Sequence, residues 1–248
     1  MNKRNITYAL VAAALAATSA QAVPILIDDF IGDDDTVYLK STSPPQIATG
    51  SFAHAAAVGG YRDAAVSSVA KGDFSMGVSF DIGGYSSFKG KGTGILVWDG
   101  VAGISDANDN KTIDIGEIGL GLNLNLLSVG ADPSIRLSAL ADRAGAKVDV
   151  LFLTSHSDYA VYSVNLTGTP GFFNDYQAAI SSPTLQVGSF DPTNVRAVAM
   201  FVDASSLSDL DVQVKLLAIS TPDQGQTVAL LGLALLGVAG FRRVVAPA

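Results

Sequence analysis

The residues whose types and spacing could do chemistry lie in the segment Asp106-Ala107-Asn108-Asp109-Asn110-Lys111-Thr112-Ile113-Asp114-Ile115-Gly116-Glu117. Asp106, Asn108, Asn110, Asp114 and Glu117 take the first, third, fifth, ninth and twelfth places of a calcium loop, a spacing that wraps oxygens around a hard cation. Lys111 stands in the sixth place, where a helix-flanked calcium loop needs glycine for its sharp turn, and the flanks read as strands. Two readings stand: a calcium-binding loop between strands, and a polar hairpin loop with solvated carboxylates. A second acidic group, Asp28, Asp29, Asp33, Asp34 and Asp35, reads as solvated turns.

Hydrolytic chemistry would be sought first at Ser155-His156-Ser157-Asp158. Adjacent residues on a strand point to opposite faces, so these cannot align as nucleophile, base and orienter, and the chain has no Gly-x-Ser-x-Gly elbow. His54 is the one other histidine, which leaves histidine-rich metal catalysis without ligands. Glycoside hydrolysis needs a pair of carboxyl groups, and nothing singles out a pair among the many Asp residues. The expectation is a non-catalytic protein that requires no cofactor, with calcium the one ion its residues suit. Exposed aromatic rings stack on sugars, and Trp98, Tyr61 and Tyr85, with Tyr159 and Tyr176, are the candidates; Trp98 beside an apolar strand equally suits a core. Phe172, Phe173 and Tyr176 near Gly171 read as a binding rim or as a packed turn.

The elements that must position these residues are strands. Leu120, Leu122, Leu124 and Leu126 alternate with Gly121, Asn123 and Asn125, and Phe74, Met76, Val78 and Phe80 repeat the pattern, as do Leu210, Val212, Val214 and Leu216. Period-two alternation predicts half-buried strands. Further strands are expected over 94–98, 135–141, 147–153, 159–166 and 194–203. The unbroken run Val150-Leu151-Phe152-Leu153 predicts a central strand covered on both faces. Asp142 to Ala146 reads as the turn between two neighbouring strands, with Ser41 to Pro45 and Thr169 to Gly171 as loops.

Composition agrees. Of 23 acidic residues only Glu117 is Glu, and 25 glycines accompany them, a balance that favours turns and strands over helices. Four of the fifteen basic residues, Lys3, Arg4, Arg242 and Arg243, sit near the termini, so the centre is more acidic than the net −8 of the whole chain. Nucleic acid is excluded as a natural partner by that charge. The absence of cysteine rules out disulfides, thiolate metal sites and cysteine nucleophiles. One antiparallel β-sandwich of jelly-roll or lectin-like type is predicted over 23–220.

At the N-terminus, Lys3 and Arg4 precede an apolar stretch from Tyr8 to Ala17, and Ala20-Gln21-Ala22 offers the small residues signal peptidase accepts. A signal peptide over 1–22, helical in its apolar part and cleaved before Val23, is predicted; the stretch is too short for a bilayer, which needs ~20 residues. The other end reads Thr221-Pro222-Asp223-Gln224-Gly225-Gln226-Thr227, then fourteen apolar residues from Val228 to Phe241, then Arg242-Arg243. Pro222 and Gly225 keep the backbone extended and accessible, and the paired arginines favour the cytoplasmic side of a membrane that the apolar helix enters transiently.

Within the tail 221–248, residues 221–243 resemble the PEP-CTERM sorting signal of exopolysaccharide-producing Gram-negative bacteria, most closely its variant with Val-Pro-Asp, although Thr221 replaces Val and Val244 to Ala248 extend past the arginines. The resemblance implies processing by an exosortase, with Pro222, Asp223 and Gly225 recognised and Arg242 and Arg243 retaining a transmembrane helix. Phrases such as Gly59-Gly60-Tyr61-Arg62-Asp63 and Trp98-Asp99-Gly100 are similar to the β-sandwich ectodomains attached to such tails. It implies a cell-surface or extracellular-matrix protein of a Gram-negative envelope, structural or adhesive in an exopolysaccharide-rich, biofilm-type layer. A calcium-assisted carbohydrate-binding module is the alternative, and a secreted hydrolase the third reading.

Overall fold

The computed structural model describes residues 23–31, 36–40, 46–68, 75–81, 85–90, 92–130, 132–203 and 210–221. The predicted signal peptide with Ala20 and Ala22, Asp33 to Asp35, the loop at Ser41 to Pro45, and the tail from Pro222 with its predicted helix lie outside these residues. Among the described residues there are fourteen strands: β1 (Ile25–Asp28), β2 (Thr36–Lys40), β3 (Gln46–Ala53), β4 (Tyr61–Ser68), β5 (Ser75–Asp81), β6 (Tyr85–Gly90), β7 (Thr93–Trp98), β8 (Ser134–Ala141), β9 (Lys147–Leu153), β10 (Tyr159–Asn165), β11 (Asn174–Ala179), β12 (Leu185–Val187), β13 (Ala197–Asp203) and β14 (Leu210–Ser220). No helix among the described residues is long and apolar enough to cross a membrane.

The strands make two antiparallel sheets. The first runs β11-β8-β14-β6-β5-β2, with β1 beside the end of β14; the second runs β12-β10-β9-β13-β7-β4-β3. Their inner faces meet in one core, which takes Ile135, Leu137, Val212, Val214, Leu217 and Ile219 from the first sheet and Leu96, Val148, Val150, Phe152, Val198 and Met200 from the second. Alternate residues of each strand supply this core because successive side chains leave the pleat on opposite sides. Tyr162 is buried in it, edge-on to Phe152 with centroids 5.8 Å apart, and its hydroxyl donates to Ile180 O at 2.7 Å. That burial pushes the Tyr162 phenol up to about 12.

The predicted sandwich is present, and the departures from sequence expectation have physical causes. The Leu120 to Leu126 segment keeps its alternation, with Leu122 and Leu126 buried and Gly121, Asn123 and Asn125 exposed, but only Leu124 forms a bridge, to Val195. It is an extended edge that turns into a short 3-10 helix at Leu126–Val129. The Asp142 to Ala146 turn joins β8 to β9, which belong to different sheets, so it crosses the sandwich and closes no hairpin. Asp28 is no solvated turn residue. It is fully buried and bidentate with the equally buried Arg62, through Nε to Oδ2 at 2.6 Å and Nη2 to Oδ1 at 2.5 Å. Trp98 Nε1–H donates to the same carboxylate at 2.7 Å and the Phe30 N–H at 2.7 Å, so this pair ties β1 of one sheet to β4 and β7 of the other.

Candidate functional site

The outer face of the second sheet is half covered. Leu151 and Leu153 of β9, Ala197 and Ala199 of β13, and Ile95 and Val97 of β7 point away from the main core and would be wet alone. The long connection after β7 folds back over them and seats Ile104, Ile113 and Ile118 there. Apolar residues on both faces of β9 therefore follow from this lid, as the run Val150 to Leu153 predicts. Asp99 fastens it: Oδ1 accepts from Val101 N–H at 2.9 Å and Oδ2 from Gly119 N–H at 2.8 Å. A Cβ at residue 119 would overlap the Asp99 carboxylate, which is why glycine stands at that position.

Beyond the lid the same face stays open as a groove of about 590 Å³, lined by Thr93, Lys147, Asp149, Tyr159, Phe201 and Asp203 with Ile113 to Ile115 of the lid as one wall. Register explains the lining: Ser163, Asp149 and Phe201 form one rung across β10, β9 and β13, and Lys147 with Asp203 form the next. Lys147 Nζ pairs with Asp149 Oδ2 at 2.8 Å, and Ser163 Oγ–H donates to Asp149 Oδ1 at 2.5 Å, so the polar rung is held in place. Tyr159 and Phe201 stand two strands and four residues apart in this register, a diagonal of about 16 Å from standard sheet spacings. Two half-buried aromatic faces that far apart, with Val161 and Leu151 between them and the hydrogen-bonding groups gathered at the Phe201 end, match an extended oligomeric ligand better than a compact one.

Hydrogen bonds tie the calcium-loop residues into one turn. Asp106 Oδ1 and Asn108 Oδ1 both accept from Asn110 N–H at 3.0 Å, and Asp106 Oδ2 accepts from Lys111 N–H at 2.8 Å. Asn108 and Asn110 each donate Nδ2–H to Asp114 Oδ2 at 2.7 Å, while Glu117 accepts the N–H groups of Asn108 and Asp114. Lys111 adopts φ 69°, the left-handed conformation that glycine would supply, so its identity does not prevent the turn. Its ammonium pairs with Asp109. The flank is a 3-10 turn at Ile115–Glu117, not a helix of EF-hand length.

Other candidates separate. Trp98 is fully buried, edge-on to Phe30 at 6.0 Å, and has no face to offer a sugar. Tyr61 lies on β4 with 37% of its surface exposed, and Tyr85 lies on β6 of the other sheet, so the two do not form one platform with Trp98. Phe172 is exposed, while Tyr176 on β11 turns towards the core and its hydroxyl accepts from Thr167 N–H at 3.1 Å. Ser155 to Asp158 form the β9–β10 turn, not a strand. There Asp158 Oδ2 accepts from Ser155 Oγ–H at 2.7 Å, and His156 Nε2 meets Ile118 O at 2.8 Å instead of a serine. The Ser155 hydroxyl, then the Ser189 N–H, hold the Asp158 carboxyl below its ordinary value. Lys147, Asp149, Phe201 and Asp203 are site residues that sequence reasoning does not single out; their odd-position spacing on β9 and β13 is the available signal.

Residues 222–244 match the family model described as the VPDSG-CTERM motif. This is a PEP-CTERM-type sorting signal. It contains Pro222, Asp223, Gly225, Arg242 and Arg243, leaves Thr221 and Val245 to Ala248 outside, and implies an exported protein processed by an exosortase. No curated protein matches the chain. Among solved structures, the chain is similar to the family 11 carbohydrate-binding module of a Clostridium thermocellum cellulosomal cellulase, at 13% identity over 81% of this chain and 96% of that one, TM-score 0.39. It is also similar to a family 29 carbohydrate-binding module, at 11% identity over 74% and 88%, TM-score 0.31. An exo-beta-agarase is similar at 9% identity over 82% of this chain but only 26% of its own length, TM-score 0.39. Likeness at that level assigns no ligand to this chain.

Proposed function

We propose that this exported, sorting-signal protein is a non-catalytic cell-surface or matrix component whose sandwich binds an extended glycan along the open groove of its second sheet. The observation that carries the reading is the groove's own lining. Tyr159 and Phe201 offer two apolar faces with Val161 and Leu151 between them, and Asp149 and Ser163 beside Phe201, with Lys147 and Asp203 one rung further on, offer donors and acceptors at that end. Sugars present an apolar C–H face and a hydroxylated rim, and this arrangement suits both. An exopolysaccharide outside the cell is the ligand class that the sorting signal makes available.

The test is binding of the purified full-length chain to a panel of bacterial and plant polysaccharides. Saturable binding that weakens at least tenfold in Phe201→Ala supports the reading, tenfold being about 1.4 kcal/mol of stacking. Absence of binding across the panel would overturn it and leave a purely structural component.

We extend the reading to calcium at Asp106, Asn108, Asn110, Asp114 and Glu117, because Lys111 already makes the turn such a loop requires and because Ile113 to Ile115 form a wall of the groove. Calcium then raises both the melting temperature and glycan affinity, and Asp106→Ala reduces both increases. An Asp106→Ala chain that responds to calcium as the wild type does would remove the loop from the reading.

A further inference from the structure

Beneath the lid lie two carboxylates that neither the groove nor the Asp106 loop uses. Asp63 of β4 and Asp99 just after β7 are 1% and 2% exposed. Asp63 pairs with Val97 in the ladder, two residues before Asp99, so the two are diagonal neighbours on one face, about 7–8 Å apart along the backbone. Both oxygens of Asp99 accept lid N–H groups. Asp63 Oδ1 accepts from Gly103 N–H at 3.2 Å, and the same N–H reaches Ser51 Oγ at 3.1 Å. Asp63 Oδ2 is buried and has no hydrogen-bond partner among the described residues.

Counter-charge is missing too. No ion pair reaches Asp63 or Asp99 among the described residues, and Arg62, beside Asp63 in sequence, points to the opposite face and is engaged by Asp28. Burial pushes the Asp63 carboxyl above its ordinary value; the Ser51 hydroxyl and Gly103 N–H pull it down, and the charge of Asp99 pushes it up again. Two adjacent buried carboxylates with one oxygen unpartnered are strongly unfavourable when both are charged, and a proton on Asp63 or a bound cation relieves them. The groups gathered on this face, two carboxylates and the Ser51 hydroxyl, of which Asp63 and Ser51 meet at Gly103 N–H, all offer oxygen, which selects a hard cation over a transition metal.

We propose that Asp63 and Asp99, with Ser51 Oγ, hold a divalent cation of the calcium class under the turn from Asp99 to Gly103. The ion would join the β3–β4 hairpin to the first residues of the lid. This site is separate from the Asp106 loop, and its existence does not depend on the groove binding a glycan.

The test titrates calcium into chelator-stripped full-length chain, following heat of binding and melting temperature, for wild type, Asp63→Asn and Asp106→Asn. Asparagine keeps the shape of residue 63 and an acceptor for Gly103 N–H. Asp63→Asn is expected to bind about one calcium fewer per chain, and to lose a stabilisation of about 5–10 °C at a hundredfold excess over Kd. Asp106→Asn is expected to keep that step. In chelator, Asp63→Asn should melt above wild type, because an unpaired buried charge is gone. Unchanged calcium stoichiometry and affinity in Asp63→Asn would overturn the proposal, as would loss of every calcium response in Asp106→Asn, or binding of magnesium but not calcium. If Asp63→Asn does not fold, Ser51→Ala at its exposed position decides the same question: a tenfold weaker calcium step supports the site, and an unchanged one overturns it.

Discussion

Replacing Asp28 by Ala should damage the sandwich more than any surface change, and the size of the loss follows from its contacts. The substitution removes the bidentate partner of Arg62 and leaves the N–H groups of Trp98 and Phe30 without their acceptor. Breaking a buried ion pair from one side costs about 3–5 kcal/mol, and the two orphaned donors place this case near the upper end. For a domain of this size that is a fall in melting temperature of about 6–20 °C. Asp28→Asn combined with Arg62→Met removes both charges while keeping one acceptor for Trp98 or Phe30, and should recover most of the loss. The assay is urea unfolding of the full chain followed by fluorescence of Trp98, the one tryptophan, which sits inside the cluster. A double-mutant cycle should give a coupling of about 2–3 kcal/mol between residues 28 and 62. Single substitutions that cost under about 1 kcal/mol each and simply add would refute the view that this pair clamps the sheets.

Three further outcomes are expected. Tyr162 holds its proton more tightly when folded than when unfolded, so its contribution is complete below pH 10 and disappears as pH rises towards its folded value of about 12; the shift corresponds to about 2–3 kcal/mol, and Tyr162→Phe should flatten the stability profile over that window in urea melts at stepped pH. Gly119→Ala drives a methyl into the Asp99 carboxylate and should loosen the lid, seen as faster amide exchange at Val101 and residue 119 while β8 and β14 stay protected. Asp149→Asn keeps the Ser163 contact but removes the charge facing Lys147; glycan affinity should fall without a change in melting temperature above about 2 °C, since exposed pairs contribute little to stability.

Much of the sandwich is legible in β8, β9, β10, β13 and β14, because their alternation or continuous hydrophobicity is strong enough to mark them as strands. β3 and β4 are less legible. Their residues, such as Ala48, Gly50, Ala64 and Ala65, are small, and small residues fit a tightly packed sheet without producing contrast between faces. Asp28 misleads for a related reason: the sequence shows an acidic cluster, and only the fold brings Arg62 to it from 34 residues away. The calcium-type spacing is visible in full, whereas the groove is not, since it exists only where β9, β10 and β13 are placed side by side. Register across strands is long-range information that a single chain read in order does not carry.

The lid links these features. Without it Leu151 and Leu153 would sit on the same open face as Asp149 and Lys147, and β9 would present a mixed surface with no defined site. Covering the apolar half and leaving the polar half bare turns a sheet face into a groove whose wall is the end of the Asp106–Glu117 loop. Forces that fix the lid therefore fix the groove: Asp99 holding two lid amides, Gly119 permitting that approach, and the cation proposed beside Asp63. The tail stands in a different relation to the fold. β14 ends at Ser220, only Thr221 separates it from the sorting signal at Pro222, and the strand is bonded to β8, β6 and β1. β14 is thus hydrogen-bonded into the first sheet up to Ser220, two residues before the motif begins.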